Sequence, residues 1–206
     1  AVRDEKGYTE RLKKALAAHK DKKVPFVTWG YHHYFHGEMS RAKLNKLAPD
    51  FPVIVWHRSA HELFLNDAAL KLTGIDEAVV KGLPKSAQEQ LSLAKGHFFE
   101  QGAMAPAIIS RIGKYLASPE QRRQGLEFTK TYYHRSGSTL ACEPGASLSK
   151  PLQDLLNAAY SDDATPFNHC FIGDGKSFLA VKPGDAASLL AEAKKVEGWG
   201  RGRTWY

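Results

Sequence analysis

Apolar and polar positions alternate along this chain with two different periods. Residues 8–19 put Tyr8, Leu12, Ala15, Leu16 and His19 on one helical face, while Lys13, Lys14 and Lys20 fall elsewhere, the spacing of an amphipathic helix. Residues 24–29 form a short apolar run in which Pro25 points to the edge or first position of a strand. After Gly30 comes a loop dense in aromatics and imidazoles, and Ser40 is placed to cap a short helix ending at Leu47. Val53-Ile54-Val55-Trp56 follows Pro52 and is short and apolar enough for a buried strand. It ends in a polar cluster, His57, Arg58, Ser59 and His61, ahead of a helical patch over 66–72 that stops at Gly74. A buried strand delivering polar groups into a turn before a helix is how an α/β scaffold presents a site.

Residues 76–104 carry a weaker pattern. Pro84 breaks the chain, Ser86 predicts a helix to about Lys95, and Gly96 ends it. Beyond 105 the alternation becomes regular. An apolar helix is expected over 107–116. A second starts at Ser118-Pro119-Glu120-Gln121, with serine as N-cap, proline at N1 and glutamine at N3, and runs to Ser136. A strand over 138–143 ends in Glu143 and the turn Pro144-Gly145. Ser149 then caps a helix with Leu152, Leu155, Leu156 and Ala159 on its apolar face. A strand over 166–172, a turn at 173–176, a helix over 185–196 and the start of a strand at 203–206 complete the series. Strands separated by such helices predict βαβ units and a parallel sheet. The fold class is α/β, with a small α/β subdomain over 1–95 and an unclosed run of βα units over 96–206.

Composition narrows the field. The 206 residues are 43% hydrophobic and 25% charged, as in ordinary globular proteins, and no apolar run reaches the roughly 18 residues of a membrane span. A net charge of +7 raises nucleic acid as a partner. The basic residues are scattered over five regions without a known binding module, so they read as solvated helix faces. Neither nucleic acid nor membrane is expected as a partner. Cys142 and Cys170 sit in apolar contexts with no C-x-x-C spacing and read as buried thiols rather than a disulfide framework. The chain begins at Ala1 without a signal segment, as a processed protein or a piece of a longer one would. No compartment is specified by the sequence; the cytoplasm is favoured.

The candidate chemistry lies in a few polar clusters. His32, His33 and His36 admit three readings: a pocket lining, a surface loop without a role, or a metal site. Against the last, Gly30 and Gly37 bracket a loop, and no H-E-x-x-H is present. Arg58 suits bidentate contact with an anion, and His57 or His61 suits proton transfer or donation to a substrate; the alternative for both is a structural role in the turn. Asn66 falls where an N-cap belongs. Glu143, at the end of its expected strand, would face the active site of a βα barrel, and Glu100 follows the pair Phe98-Phe99. With no G-x-S-x-G and no G-x-G-x-x-G, no complete catalytic set is visible from residue chemistry.

The central stretch carries a resemblance. Pro52-Val53 before an apolar strand, Ser59-x-His61 after it, and Leu65-Asn66-Asp67-Ala68-Ala69-Leu70 ending in Gly74-Ile75 resemble the YtcJ-like, amidohydrolase-3 type of the amidohydrolase superfamily. Asp67 stands where serine is usual. Trp29-Gly30-Tyr31, Met39-Ser40-Arg41 with Leu44, Gly96-x-x-x-Glu100, Gly137-Ser138-Thr139 and Glu143-Pro144-Gly145 look like weaker elements of the same family in the same order. The resemblance covers about residues 24–145. It implies a roll-like α/β subdomain inserted into a metal-dependent (β/α)8 TIM-type barrel, followed by part of that barrel. It also implies hydrolysis of amide or related non-peptide C–N bonds by metal-activated water. The family's His-x-His pair, later histidines and catalytic Asp have no counterpart here, and 206 residues fall short of the ~250 of a typical closed barrel. The expectation is therefore a central fragment of a longer hydrolase. It would hold no metal and no catalytic residue itself, with zinc or another divalent metal in the full-length parent. Its pocket walls against a small-molecule substrate would include His33, His36, Arg58, His61, Glu100 and Glu143. A homodimer would cover the exposed sheet edge. The rival readings are a non-catalytic small-molecule binding module using His33, Arg58 and His61, and an enzyme of another class.

Overall fold

The computed structural model describes residues 2–21, 23–116, 118–146, 150–173 and 185–205. Two compact units divide the chain, Ala1–Ser118 and Pro119–Tyr206.

In the first unit, helix α1 (Glu5–Ala18) starts at Asp4, whose carboxylate accepts the Gly7 N–H at 2.8 Å, and buries Leu12 and Leu16. Strand β1 (Phe26–Tyr31), the single turn α2 (His33–His36), helix α3 (Arg41–Leu47), strand β2 (Val53–His57) and strand β3 (Glu62–Leu65) follow. Then come α4 (Asp67–Thr73), α5 (Glu77–Lys81), α6 (Lys85–Gln88), β4 (Leu91–Ser92), β5 (His97–Phe99), α7 (Gln101–Met104) and α8 (Pro106–Leu116). The five strands order as β1-β2-β3-β5-β4. Only β1 and β2 are parallel; the other pairings are antiparallel.

Strand β2 explains why its sequence is apolar without alternation: both faces are covered. Val53 and Val55, with Phe64 of β3, pack on Leu12, Leu16, Leu44 and Phe51. Ile54, with Leu63, Leu65 and Phe98, packs on Leu70, Ala103, Ile108 and Ile112. Side chains alternate across a strand, so a two-sided core demands a continuous apolar run. Asn66 caps α4 and sits at the seam between these layers with 0% exposure.

Three expectations change in this unit. Strand β3 stands where none was predicted. The expected helix over 86–95 is only the turn α6, capped at Pro84 rather than Ser86, because the chain then reverses: Phe99 N–H donates to the Gln90 carbonyl and β4 pairs with β5. Residues 96–116, assigned by the sequence to the second segment, pack through Phe98, Ala103, Ile108 and Ile112 into the first.

The second unit holds α9 (Pro119–Ser136), β6 (Leu140–Ala146), α10 (Lys150–Tyr160), β7 (Asn168–Gly173), α11 (Ala186–Lys194) and β8 (Thr204–Trp205). The strands are parallel in the order β6-β7-β8, the βα alternation read from the sequence. The Ser149 cap and the turn over 174–176 lie outside the described residues. One sheet face packs Ala141 on Tyr160 and Phe167. The other leaves Leu140 53%, Ile172 50% and Trp205 39% exposed. Cys142 and Cys170 face each other in register on neighbouring strands. They are free thiols, one exposed and one half-buried, rather than buried as expected; Cys170 and Ile172 line an open cavity with Ala193, Lys194 and Val196. Glu143 is mid-strand, since β6 continues through Pro144 to Ala146 with an irregular register. An edge strand tolerates a proline there. Neither sheet closes on itself among the described residues, and the structure is mixed α/β with open sheets. No described helix is long and apolar enough to cross a membrane.

Candidate functional site

Parallel pairing places two strand ends side by side. Gly30, at φ +99°, takes up the extra residue of a bulge, so Tyr31 rather than Gly30 stands opposite His57. Arg58 N–H donates to the Tyr31 carbonyl at 2.8 Å. The carboxyl ends of neighbouring parallel strands are where open α/β sheets gather ligand-binding groups. Here they gather imidazoles. The ring centroids of His32 and His33 lie 5.0 Å apart, those of His32 and His57 4.9 Å, and those of His33 and His57 5.8 Å. One ring nitrogen from each falls within 4.8 Å of the others.

His57 is the buried member, at 5% exposure. Its Nδ1 lies 2.8 Å from Ser59 Oγ and 3.1 Å from Ser59 N–H. Glu62 Oε1 is 3.8 Å from the same nitrogen. Serine and carboxylate thus share one side of the ring, which rules out a relay running from serine through imidazole to acid. His57 Nε2 is buried without a hydrogen-bond partner among the described residues. Glu62 turns its other oxygen to His97 Nε2 at 3.0 Å, and His97 stacks on Phe64 with centroids 4.5 Å apart. Burial pushes the His57 imidazole below its ordinary range, and His32, His33 and Arg58 push the same way against the opposing pull of Glu62. His32 is lowered as well, by loss of hydration first and then by His33, Arg58 and His36. Both rings are neutral near pH 7, and in each the lone pair at Nδ1 accepts a backbone N–H, from Tyr34 in His32 and from Ser59 in His57.

Other predicted residues fall into distinct places. His33 is exposed in the trio. His36 is 7% exposed and committed on both sides: Nδ1 accepts the His32 N–H at 3.0 Å, Nε2 lies 3.1 Å from the Val2 carbonyl, and the ring stacks on Tyr8 at 4.3 Å. Arg58 is exposed and lines, with His32, His36, Trp29 and Phe35, a cavity of about 500 Å³. His61 and Glu100, 39 residues apart in sequence, meet at 2.9 Å between Nδ1 and Oε2. The contact is fixed from the backbone, since Glu100 N–H donates to the His61 carbonyl at 2.9 Å. Ala60 and Glu100 hold positive φ, 67° and 42°, a conformation L-residues keep only when surrounding structure imposes it. An imidazole oriented by a carboxylate is suited to proton transfer. Glu143 belongs to the second unit, where His169 lies on the adjacent strand; burial lowers the His169 pKa and Glu143 partly opposes this.

Sequence reasoning missed the joining of His57 to His32 and His33, and the Glu62–His97 pair behind it. The signal was present: two strands joined through helices, one followed directly by His32-His33 and the other ending in His57, bring those histidines together if the strands are parallel.

Compared with solved structures, the chain is similar to an uncharacterized metal-dependent hydrolase from Pyrococcus horikoshii OT3, with a TM-score of 0.52 over 96% of this chain at 14% identity. A second uncharacterized metal-dependent hydrolase, from Pyrococcus furiosus, aligns over 99% of the chain at 14% identity with a TM-score of 0.49. The chain spans 35% and 37% of these two proteins. No protein-family model and no curated protein sequence matches it. At this identity the likeness is one of fold: the chain folds as about a third of a metal-dependent hydrolase does.

Proposed function

We propose that this chain is the central portion of a metal-dependent hydrolase of the YtcJ-like, amidohydrolase-3 type, acting on amide or other non-peptide C–N bonds of a small molecule. The single observation that carries the reading is the coverage: 96% of the chain follows the fold of a metal-dependent hydrolase while accounting for 35% of it. The motif around His61, Asn66 and Gly74 adds the family. In this reading the first unit is the inserted α/β subdomain, and β6-β7-β8 are consecutive parallel strands of the barrel. The metal expected in the whole enzyme supplies an activated water and polarises the scissile carbonyl. Side chains of this chain then position substrate. Arg58 holds an anionic group, and His61, aligned by Glu100, donates to or accepts from a polar substituent. The reading is indifferent to compartment and leaves a homodimer through an open sheet edge as a further expectation.

The test compares this chain with the product of the whole reading frame that encodes it, both zinc-loaded, against a panel of N-acyl amines and cyclic amides. The longer protein is expected to hydrolyse at least one of them and this chain alone none. In the longer protein, Arg58→Ala should raise KM by roughly tenfold with little change in kcat, the signature of lost uniform binding. Turnover by the chain alone, or a longer protein inert to every C–N substrate, would overturn the reading.

A further inference from the structure

We propose that His32, His33 and His57 form a site for a divalent transition metal, zinc by the chemistry of its donors. Three imidazoles with an open fourth position are a donor set that zinc accepts. Their nitrogens already lie within 4.8 Å of one another. Ligands of a tetrahedral zinc stand roughly 3.3 Å apart, so the rings must close by up to about 1.5 Å. The exposed His33 is the member that can swing in; His57, at the end of a strand buried on both faces, cannot.

The second observation is His57 itself. Its Nε2 is buried with no hydrogen-bond partner among the described residues, and the ring faces His32 and His33. Buried polar atoms are nearly always partnered, and one left alone beside two other imidazoles points to a ligand. Behind the ring, Ser59 Oγ lies 2.8 Å from Nδ1, within reach to accept its proton, and the Glu62 carboxylate stands 3.8 Å away, beyond hydrogen-bond distance but close enough to favour that proton electrostatically. His97 in turn holds Glu62. A carboxylate behind a ligating imidazole is the usual way a protein fixes its tautomer and raises its basicity.

Metal binding has a local cost that makes the site testable. In the metal-free arrangement His32 Nδ1 accepts the Tyr34 N–H at 3.2 Å. To ligate, His32 must offer Nδ1 itself or move its proton to Nδ1 and offer Nε2. Either route removes the acceptor from the Tyr34 amide. For His57, the proton must sit on Nδ1, so Ser59 Oγ changes from donor to acceptor and Ser59 N–H gives up its bond. The cavity that His32 and Arg58 line gives the fourth position access to water or to an anion that Arg58 would help hold.

The proposal stands on the chain's own residues and does not depend on the hydrolase reading. The chain, stripped by a chelator and dialysed, is titrated with Co²⁺ and with Zn²⁺. We expect one ion per chain, tetrahedral cobalt absorption in the visible, and micromolar or tighter affinity. His33→Ala, at an exposed position, and His57→Gln should each weaken binding by about 100-fold, and Glu62→Gln by about tenfold. His134→Gln, on an exposed stretch of α9, controls for adventitious imidazole binding and should bind as the parent does. On metal addition the Tyr34 amide resonance should shift and its exchange protection fall. Circular dichroism of the metal-free variants separates loss of ligand from loss of fold, with His33→Ala the variant least exposed to that ambiguity. No saturable uptake by the parent chain, or unchanged affinity in His33→Ala with its fold intact, would overturn the site.

Discussion

Asn66 shows how much one residue can hold. Its Oδ1 accepts N–H groups from both Val53 and Ala69 at 2.9 Å, and its Nδ2 donates to the carbonyls of Ala48 and Phe51, also at 2.9 Å. The side chain caps α4, closes the entry to β2 and ties down the end of α3, all at 0% exposure. Asn66→Ala would strand two buried N–H groups and two carbonyls, and should cost about 3 kcal/mol or more of stability, read from urea denaturation. Asn66→Asp keeps both acceptor bonds but loses both donors and buries a charge, so it should not rescue. The cap was legible in the sequence, since asparagine before a helical patch is a local signal. The bonds to residues 15 and 18 positions earlier were not, because they depend on where the chain returns. The same limit hid the imidazole trio: His32 and His33 were visible as neighbours, but His57 joins them only through strand pairing.

At the scale of elements, local signals placed β2, α3, α9 and the parallel strands of the second unit, and failed on β3 and the segment after α6. Glu62-Leu63-Phe64-Leu65 is only four residues, with an acid at its head and a strong helix cap directly behind it, so periodicity has no room to speak. Its position is set instead by pairing on both sides, with β2 and with β5. Gly96 makes the second pairing possible. It sits at φ +61°, and its carbonyl accepts the Leu65 N–H at 2.8 Å. A Cβ there would fall 2.1 Å from the Leu65 carbonyl oxygen. Gly96→Ala should therefore cost ~2–4 kcal/mol through combined strain and clash, seen as a lowered denaturation midpoint. Exchange protection should be lost first at Leu65.

For the molecule as a whole, the two units rest on unequal cores. The first packs both sheet faces, with aliphatic and aromatic residues from α1, α3, α4 and α8. In the second, the described apolar cluster centres on Ala141, Tyr160 and Phe167. Part of its interior is polar instead: Asn157 donates to the Trp199 carbonyl and accepts from Gln153 and Thr204. Amides of β6 and β7 should exchange at lower opening free energy than those of β2 and β3. Native-state hydrogen exchange measures this, and equal protection in both units would contradict it. Architecture was less legible than its parts, and sheet closure shows why. Each βα unit is encoded locally, whereas closure depends on strands that must meet across the whole sheet.

The turn from Arg58 to His61 joins two strands whose every neighbour is fixed. His57 and Glu62, on either side of it, are held by β2, β3 and the core beneath them, while Arg58, Ser59 and His61 stand outside that core. The side chains of Arg58 and His61 are therefore free to vary with little cost to the framework, whereas Ser59 is tied to His57 and Ala60 to a positive φ. Descendants of this sequence can change what the rim recognises by exchanging those two side chains, without having to find a new way to fold.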